Sequence, residues 1–192
     1  MKSEEEITAA PPEQISSLPV YDGTIVHLAV DTVRFPDGSS GDLEMIRHSG
    51  ASAVLPVLGS VHDADPEVLL IRQYRYATGG YLYEVPAGRP LFKGEDWQVC
   101  ARRELEEETG LVAGRLTPLT TIYTSPGFTD ELIHLYLAEE LSPGTIARDV
   151  DEFIELVKLP LTAALAMVES GEISDAKTIC TLLHAATFRL RP

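Results

Sequence analysis

Basic residues are scarce in this chain: 15 Lys and Arg stand against 30 Asp and Glu, a formal net charge of −15 at pH 7. So anionic a chain repels nucleic acid and anionic membrane surfaces unless a local basic patch overrides the field, and neither is expected as a partner. It also repels phosphorylated small molecules, so a site for one must bring its own cations. Cysteine is nearly absent. Cys100 and Cys180 have no CxxC partner and lie in segments of helical periodicity, which argues against a disulfide framework and fits small core residues in a reducing cytosol. The histidines His27, His48, His62, His134 and His184 form neither HxH nor HExxH spacing, and none is assigned to zinc. No apolar run approaches the ~20 residues that span a bilayer. The opening Met1-Lys2-Ser3-Glu4-Glu5-Glu6 is acidic where a secretion signal would be basic. A cytoplasmic location is therefore expected. What the chain does have is a hydrophobic content of 44%, enough to bury a core and to exclude global disorder.

Residues 1–17 are polar, acidic and interrupted by Pro11-Pro12, and are expected to form a flexible tail. Residues 18–48 read as N-terminal β-strands: Tyr21 to Phe35 is rich in Val, Ile and Thr, and Pro36-Asp37-Gly38 supplies a turn before a strand near Leu43 to His48. The rest, 49–192, reads as one domain. Strands are expected at Ala51 to Leu58, Glu67 to Tyr76, Tyr81 to Val85, Leu116 to Tyr123, Leu132 to Ala138 and Phe153 to Leu159. Asp96 is a candidate N-cap and Gly110 a candidate terminator for the clearest helix, and two more helices, about Leu161 to Ser170 and Asp175 to Phe188, close the chain. Many strands with few, late helices indicate an α+β class with a mixed sheet.

The strongest chemical signal is Arg103-Glu104-Leu105-Glu106-Glu107-Glu108-Thr109-Gly110. Glu104, Glu107 and Glu108 stand at i, i+3 and i+4 and share one helix face. They occupy the last two turns, where the macrodipole disfavours an anion by about 0.3–1 kcal/mol, and repulsion between them adds a few tenths more. One reading is a solvated acidic face on an acidic protein. The other is a site for a hard divalent cation such as Mg²⁺ or Mn²⁺, which prefers oxygen ligands.

With Gly88, Glu95 and Leu111, the segment resembles the Nudix box, Gly-x5-Glu-x7-Arg-Glu-U-x-Glu-Glu-x-Gly-U, where U is a bulky aliphatic residue. From Glu95 to Leu111 every fixed position matches. One departure is visible: six residues rather than five separate Gly88 from Glu95, so the strict pattern would put its glycine at Arg89. A one-residue insertion in the loop from Arg89 to Gly94 accounts for it. The resemblance implies the Nudix fold, a mixed β-sheet sandwiched between helices. It further implies that Glu104 and Glu108 are metal ligands, that Glu107 assists through a metal or a water, and that the Ala87 carbonyl completes the shell. Arg103 and Glu95 would pair to hold loop to helix, and Glu106 would be solvated.

Beyond the box, the chain is similar to the ADP-ribose pyrophosphatases of that family. The likeness is carried by Val68 to Tyr76, by Tyr81-Leu82-Tyr83-Glu84-Val85-Pro86-Ala87-Gly88, and by Ser125-Pro126-Gly127-Phe128-Thr129-Asp130-Glu131, with Pro126 fifteen positions beyond Leu111. Each stretch also has a plain reading: Arg72 and Arg75 as surface charges, Glu84 as an exposed strand residue, Ser125-Pro126-Gly127 as a turn. The resemblance instead makes Arg75 a phosphate grip, places Glu84 against the metal and substrate site, and assigns Arg72, Ser125, Pro126, Gly127 and Asp130 to substrate binding. It points to Glu152, in the acidic loop Asp149 to Glu155, as the base that activates water, with Asp151 second. The implied reaction is Mg²⁺-dependent hydrolysis of ADP-ribose to AMP and ribose 5-phosphate with two or three ions, Mn²⁺ being a substitute. A homodimer with exchanged N-terminal strands is also implied. Two alternatives stay open: another nucleotide sugar or dinucleotide (GDP-mannose, FAD, NADH), and a module that senses ADP-ribose without cleaving it.

Overall fold

A computed structural model describes residues 13–148 and 153–190. The chain divides into two compact units, one running up to His48 and including Ser125–Glu131, the other comprising Ser49–Thr124 and Leu132–Pro192. Among the described residues no helix is long and apolar enough to cross a membrane.

The first unit holds β1 (Glu13–Asp22), β2 (His27–Arg34) and β3 (Ser40–Arg47), an antiparallel sheet in the order β1-β2-β3. Glu13 to Ser17, expected in the tail, are instead strand, paired with Arg34 to Asp31 of β2. The single strand read from Tyr21 to Phe35 is two, because the Gly23 N–H turns back onto the Val26 carbonyl at 2.9 Å. β1 exposes Leu18, Val20 and Tyr21. On β2, Asp31 is buried and is met by Arg47 and, at 3.1 Å, by Gln14.

The second unit is built on β4 (Ala51–Leu58), β5 (Glu67–Arg75), β6 (Gly80–Glu84), β7 (Ala87–Gly88), β8 (Leu111–Tyr123), β9 (Leu132–Pro143) and β10 (Ile154–Pro160). Their order is β10-β5-β4-β9-β8, with β6 on β5 and β7 on β4. Among the described strands of this sheet only β4 and β9 run parallel, so the sheet is mixed as expected. β4 is buried on both faces, which is why it reads as a continuous apolar run rather than an alternation. Ala53, Leu55 and Val57 pack with α2 (Leu161–Ser170) and α3 (Ala176–Phe188), while Val54 packs with Ala101 and Leu105 of α1 (Trp97–Thr109). The expected sandwich of sheet between helices is thus the observed one. β8 and β9 run longer than their sequences suggest. Within β8, Gly114 sits where an added Cβ would lie 2.9 Å from the Glu140 carbonyl oxygen, and Glu140 itself takes a left-handed φ of 56°.

One feature of the sheet positions the site. β4 pairs with β5 only at Val57 and Leu58, and at Ser52 and Ala53 its partner is β7. The sheet forks between them, and the segment Glu84 to Gly88 fills the fork.

Candidate active site

α1 begins where the Asp96 carboxylate accepts the N–H groups of Gln98 (2.9 Å) and Val99 (3.2 Å), and ends at Gly110, left-handed at φ 71°. Its buried residues are Cys100, Ala101, Glu104, Leu105, Glu108 and Thr109, two adjacent rows at spacing four. Glu104 and Glu108 therefore lie on the row of Cys100, at 9% and 2% exposure, and do not belong to a solvated face. A Glu108 Oε2 accepts the Ala87 N–H at 3.1 Å. A Cβ added at Gly88 would lie 2.2 Å from the Glu104 carboxylate. Only glycine permits that approach, so the glycine of the box is Gly88 and the extra residue is absorbed in 89–94. That loop turns through Leu91 N–H to Glu95 Oε2 (2.8 Å), Glu95 N–H to Phe92 O (3.2 Å) and Gly94 at φ 93°.

Arg103 is a hub. Its Nη1 donates to Glu104 Oε1 (2.7 Å) and Glu107 Oε2 (2.9 Å), and its Nη2 to Arg89 O (2.9 Å) and Glu95 Oε2 (3.4 Å). Burial opposes the charge of Glu95, but the Leu91 N–H and Arg103 outweigh it and hold the carboxyl below its usual value. The arginine joins loop to helix and also clamps two of the box glutamates. At the helix end, Arg148 Nε (2.9 Å) and Nη2 (2.6 Å) donate to the Glu108 carbonyl, and Nη1 donates to Ile154 O (2.8 Å). This cation stands where the macrodipole calls for one. Glu106, expected to be solvated, accepts the Thr145 N–H at 3.2 Å as the same segment folds back over the helix end.

The second cluster centres on Glu84, 1% exposed. Arg75 grips it in bidentate fashion, Nε to Oε1 at 2.7 Å and Nη2 to Oε2 at 2.9 Å, and Lys177 Nζ donates to Oε2 and to Asp175 Oδ2 (3.1 Å). Burial alone would raise the Glu84 carboxyl; Arg75 and Lys177 together outweigh it and lower it. The Arg75 guanidinium is held more firmly charged, first by its bonds to Glu84 and also by the Glu108 carboxylate. The fork is engaged along one edge, and Nη1 has no partner among the described residues. Lys177 escaped notice in the sequence. The available signal was a lysine in the first turn of α3, two residues after the Asp175 cap, where the helix dipole disfavours it. Arg148 was the one basic residue beside an acidic loop, and the demand for a cation at the end of α1 could have found it.

The remaining candidates are placed as follows. Arg72 lies 4.3 Å over the Tyr81 ring and pairs with Glu155 at 3.0 Å. Ser125, Pro126, Gly127 and Asp130 belong to the first unit. There Ser125 O accepts the Phe128 and Thr129 N–H groups (both 3.1 Å), and Asp130 accepts from the His48 N–H (2.8 Å) and Arg47 (3.3 Å). Glu152 and Asp151 lie outside the described residues.

Among the described residues no three acidic, histidine or cysteine side chains converge on one metal position. The oxygen donors that could serve a divalent cation are Glu104 and Glu108, gathered on the Ala87–Gly88 backbone, with Arg103 bonded to Glu104 and Glu107. Such a set would suit a hard divalent cation that takes one or two carboxylates, keeps several waters and shares its shell with substrate phosphates, as Mg²⁺ does. The close approach at Gly88 shows that the backbone is shaped around the Glu104 carboxylate.

Residues 52–182 match the NUDIX domain. The chain belongs to the Nudix family. It is 44% identical over 180 residues to the ADP-ribose pyrophosphatase of Bacillus subtilis (strain 168), covering 93% of this chain and 91% of that protein. To the methanol dehydrogenase activator of Bacillus methanolicus it is 40% identical, covering 86% and 87%. To a GDP-mannose pyrophosphatase of Salmonella paratyphi B it is 38% identical, covering 77% and 82%. A solved structure titled as an ADP compounds hydrolase superposes with a TM-score of 0.77 at 24% identity, covering 93% and 94%, and supports the fold.

Proposed function

We propose that this chain is a Mg²⁺-dependent Nudix hydrolase that cleaves the pyrophosphate of ADP-ribose to AMP and ribose 5-phosphate. The observation that carries it is the pair of buried carboxylates, Glu104 and Glu108, set on the Ala87–Gly88 backbone beside a cation whose free edge is oriented by Glu84. The similarity to the Bacillus subtilis pyrophosphatase supports the substrate.

Bound Mg²⁺ would neutralise charge on the diphosphate and promote attack by water. Two or three ions are expected, and the described carboxylates would serve one of them. Glu104 and Glu108 would hold it, with Glu107 and the Ala87 carbonyl contributing to its shell. Arg75, fixed along one edge by Glu84, would present its other edge to a phosphate oxygen, where a planar fork gives direction as well as charge. Glu152 would take the proton of the attacking water. Ser125, Pro126, Gly127 and Asp130 would contact the remainder of the substrate, and Arg72 the base or sugar. A homodimer is part of this reading. The exposed Leu18, Val20 and Tyr21 of β1 support it, because a strand apolar on its exposed positions gains by being covered.

The test is a product assay by chromatography with ADP-ribose, GDP-mannose, FAD and NADH, each with Mg²⁺. AMP and ribose 5-phosphate appearing fastest from ADP-ribose is the expected result. Faster cleavage of GDP-mannose would transfer the assignment to the substrate of the Salmonella relative. Binding of ADP-ribose without cleavage would refute the enzyme reading in favour of a sensor.

A further inference from the structure

One buried polar side chain on the strand face of the Arg75–Glu84 pair has no role in the account above. Gln73 is 5% exposed, and its Oε1 has no hydrogen-bond partner among the described residues. A buried acceptor left unpaired costs stability, so native proteins keep few of them, and each asks for a ligand, an ordered water or a function.

Its position is set by strand register. Side chains alternate along β5, so Ile71, Gln73 and Arg75 share one face. Glu84 is directly opposite Ile71 and Leu82 directly opposite Gln73 on β6, while Ile154 of β10 is opposite Gln73 on the other side. Arg75 pairs with Gly80, so its side chain reaches Glu84 only by running back across the Gln73–Leu82 pair. The Ile154 carbonyl is bonded by Arg148, which also bonds the Glu108 carbonyl. Gln73 is thus enclosed between strands on both sides. The Arg75–Glu84 pair lies on its face, and the end of α1 is linked to its neighbour. Of the nearby guanidinium groups, Arg75 gives one edge to Glu84 and Arg148 bonds backbone carbonyls, and neither bonds the Gln73 Oε1.

We propose that Gln73 is a ligand-contacting residue of this site, its buried amide oxygen accepting a hydrogen bond from the hydrated divalent cation. The inference rests on the metal-dependent reading above. Its chemistry follows from complementarity. An unpaired acceptor needs a donor, an ionised diphosphate offers none, and a hydrated Mg²⁺ presents several water protons.

The experiment compares Gln73→Met and Gln73→Leu with the unaltered full-length protein. Thermal unfolding is followed without metal and across a Mg²⁺ titration with no nucleotide present, and then kcat and KM are measured. Removing an unpaired buried acceptor leaves the metal-free Tm unchanged or raises it by about 2 °C. The Mg²⁺ concentration that half-saturates the thermal shift rises roughly tenfold, the lower end of the loss seen when groups supporting a metal site are removed. A lower metal-free Tm in both variants with an unchanged Mg²⁺ midpoint would overturn the proposal, because Gln73 would then be held by an internal water as a structural residue. An unchanged Mg²⁺ midpoint with a raised KM would also overturn it, assigning the amide to the substrate. The titration needs no turnover. An unaltered chain that shows the Mg²⁺ shift but hydrolyses no nucleotide sugar therefore refutes the functional reading separately.

Discussion

Replacing Gly88 with alanine should separate the site from the fold. The added Cβ would lie 2.2 Å from the Cδ and Oε1 atoms of Glu104 and 2.3 Å from Oε2. Ordinary contact begins near 3.4 Å, so the carboxylate must retreat by about 1.2 Å. What moves is the far end of a side chain and not backbone, and no unfavourable φ is imposed at residue 88. The stability cost is therefore confined to weakening the Arg103–Glu104 pair, about 1 kcal/mol for a partly exposed arginine. A metal site tolerates displacements of only about 0.2 Å in its ligands, and a misplacement of about 1 Å at a reacting centre costs on the order of a hundredfold in rate. Gly88→Ala should thus unfold within about 3 °C of the parent while kcat/KM for the best substrate falls about a hundredfold and the Mg²⁺ midpoint rises. Gly94→Ala is the control. Nothing lies within 4 Å of its Cβ, but φ is 93°, so it should lose about 1–2 kcal/mol of stability and keep its activity. Parental kcat/KM and Mg²⁺ midpoint in Gly88→Ala, measured by product assay and metal titration, would refute the assignment of Glu104 to the metal.

The Glu84 carboxyl is held below its ordinary value of 4.5, so its contribution is complete above that value and is lost as pH falls through the folded one. Glu84→Gln should therefore be destabilised by about 3 kcal/mol at pH 7, where Lys177 and Arg75 lose their partner, with the gap to the parent narrowing below pH 4; parallel Tm profiles would contradict this. Burial pushes the Cys100 thiol up to about 11, helped by Glu104, while Cys180 is exposed. A thiol reagent at pH 8 should label one cysteine per native chain and two after denaturation, and rapid labelling of both in the native protein would show that Cys100 is accessible. Glu108→Gln should retain the Ala87 contact and the fold but lose most activity, and wild-type turnover at limiting Mg²⁺ would rule Glu108 out as a ligand. Glu152→Gln should lower kcat with KM nearly unchanged, whereas a collapse in affinity would make Glu152 a binding residue.

Most element boundaries were legible because the relevant signals are local. Asp96 and Gly110 mark both ends of α1, β4 shows as an apolar run, and Leu161 to Ser170 is bounded by proline and glycine. The full length of β8 and β9 was less legible because a glycine such as Gly114 has little strand preference of its own and is held there by pairing with β9. The glutamates of the box could be read from spacing alone, while the cations that organise them could not. Arg148 reaches Glu108 across 40 positions and Lys177 reaches Glu84 across 93, and no periodicity encodes contacts at that separation. Gln73 was invisible for another reason: its distinguishing property is a missing partner, which exists only once the neighbours are placed.

The charge problem raised by composition is resolved locally. Arg75, Arg103, Arg148 and Lys177 are four of the chain's 15 basic residues, and all four bind groups of the two clusters. Against them stand six carboxylates, Glu84, Glu95, Glu104, Glu107, Glu108 and Asp175, so the clusters carry a formal charge of −2. That is far from the density a net −15 suggests, yet still the wrong sign for a diphosphate. One divalent cation brings the sum to zero and a second makes it positive. The cations of the protein serve to orient the carboxylates and one another, and the sign change that admits the substrate is left to the metal. Such a division explains why three glutamates crowd the unfavourable end of a helix whose dipole a single arginine caps. Arg103 relieves part of their mutual repulsion, and a bound divalent cation would relieve the rest.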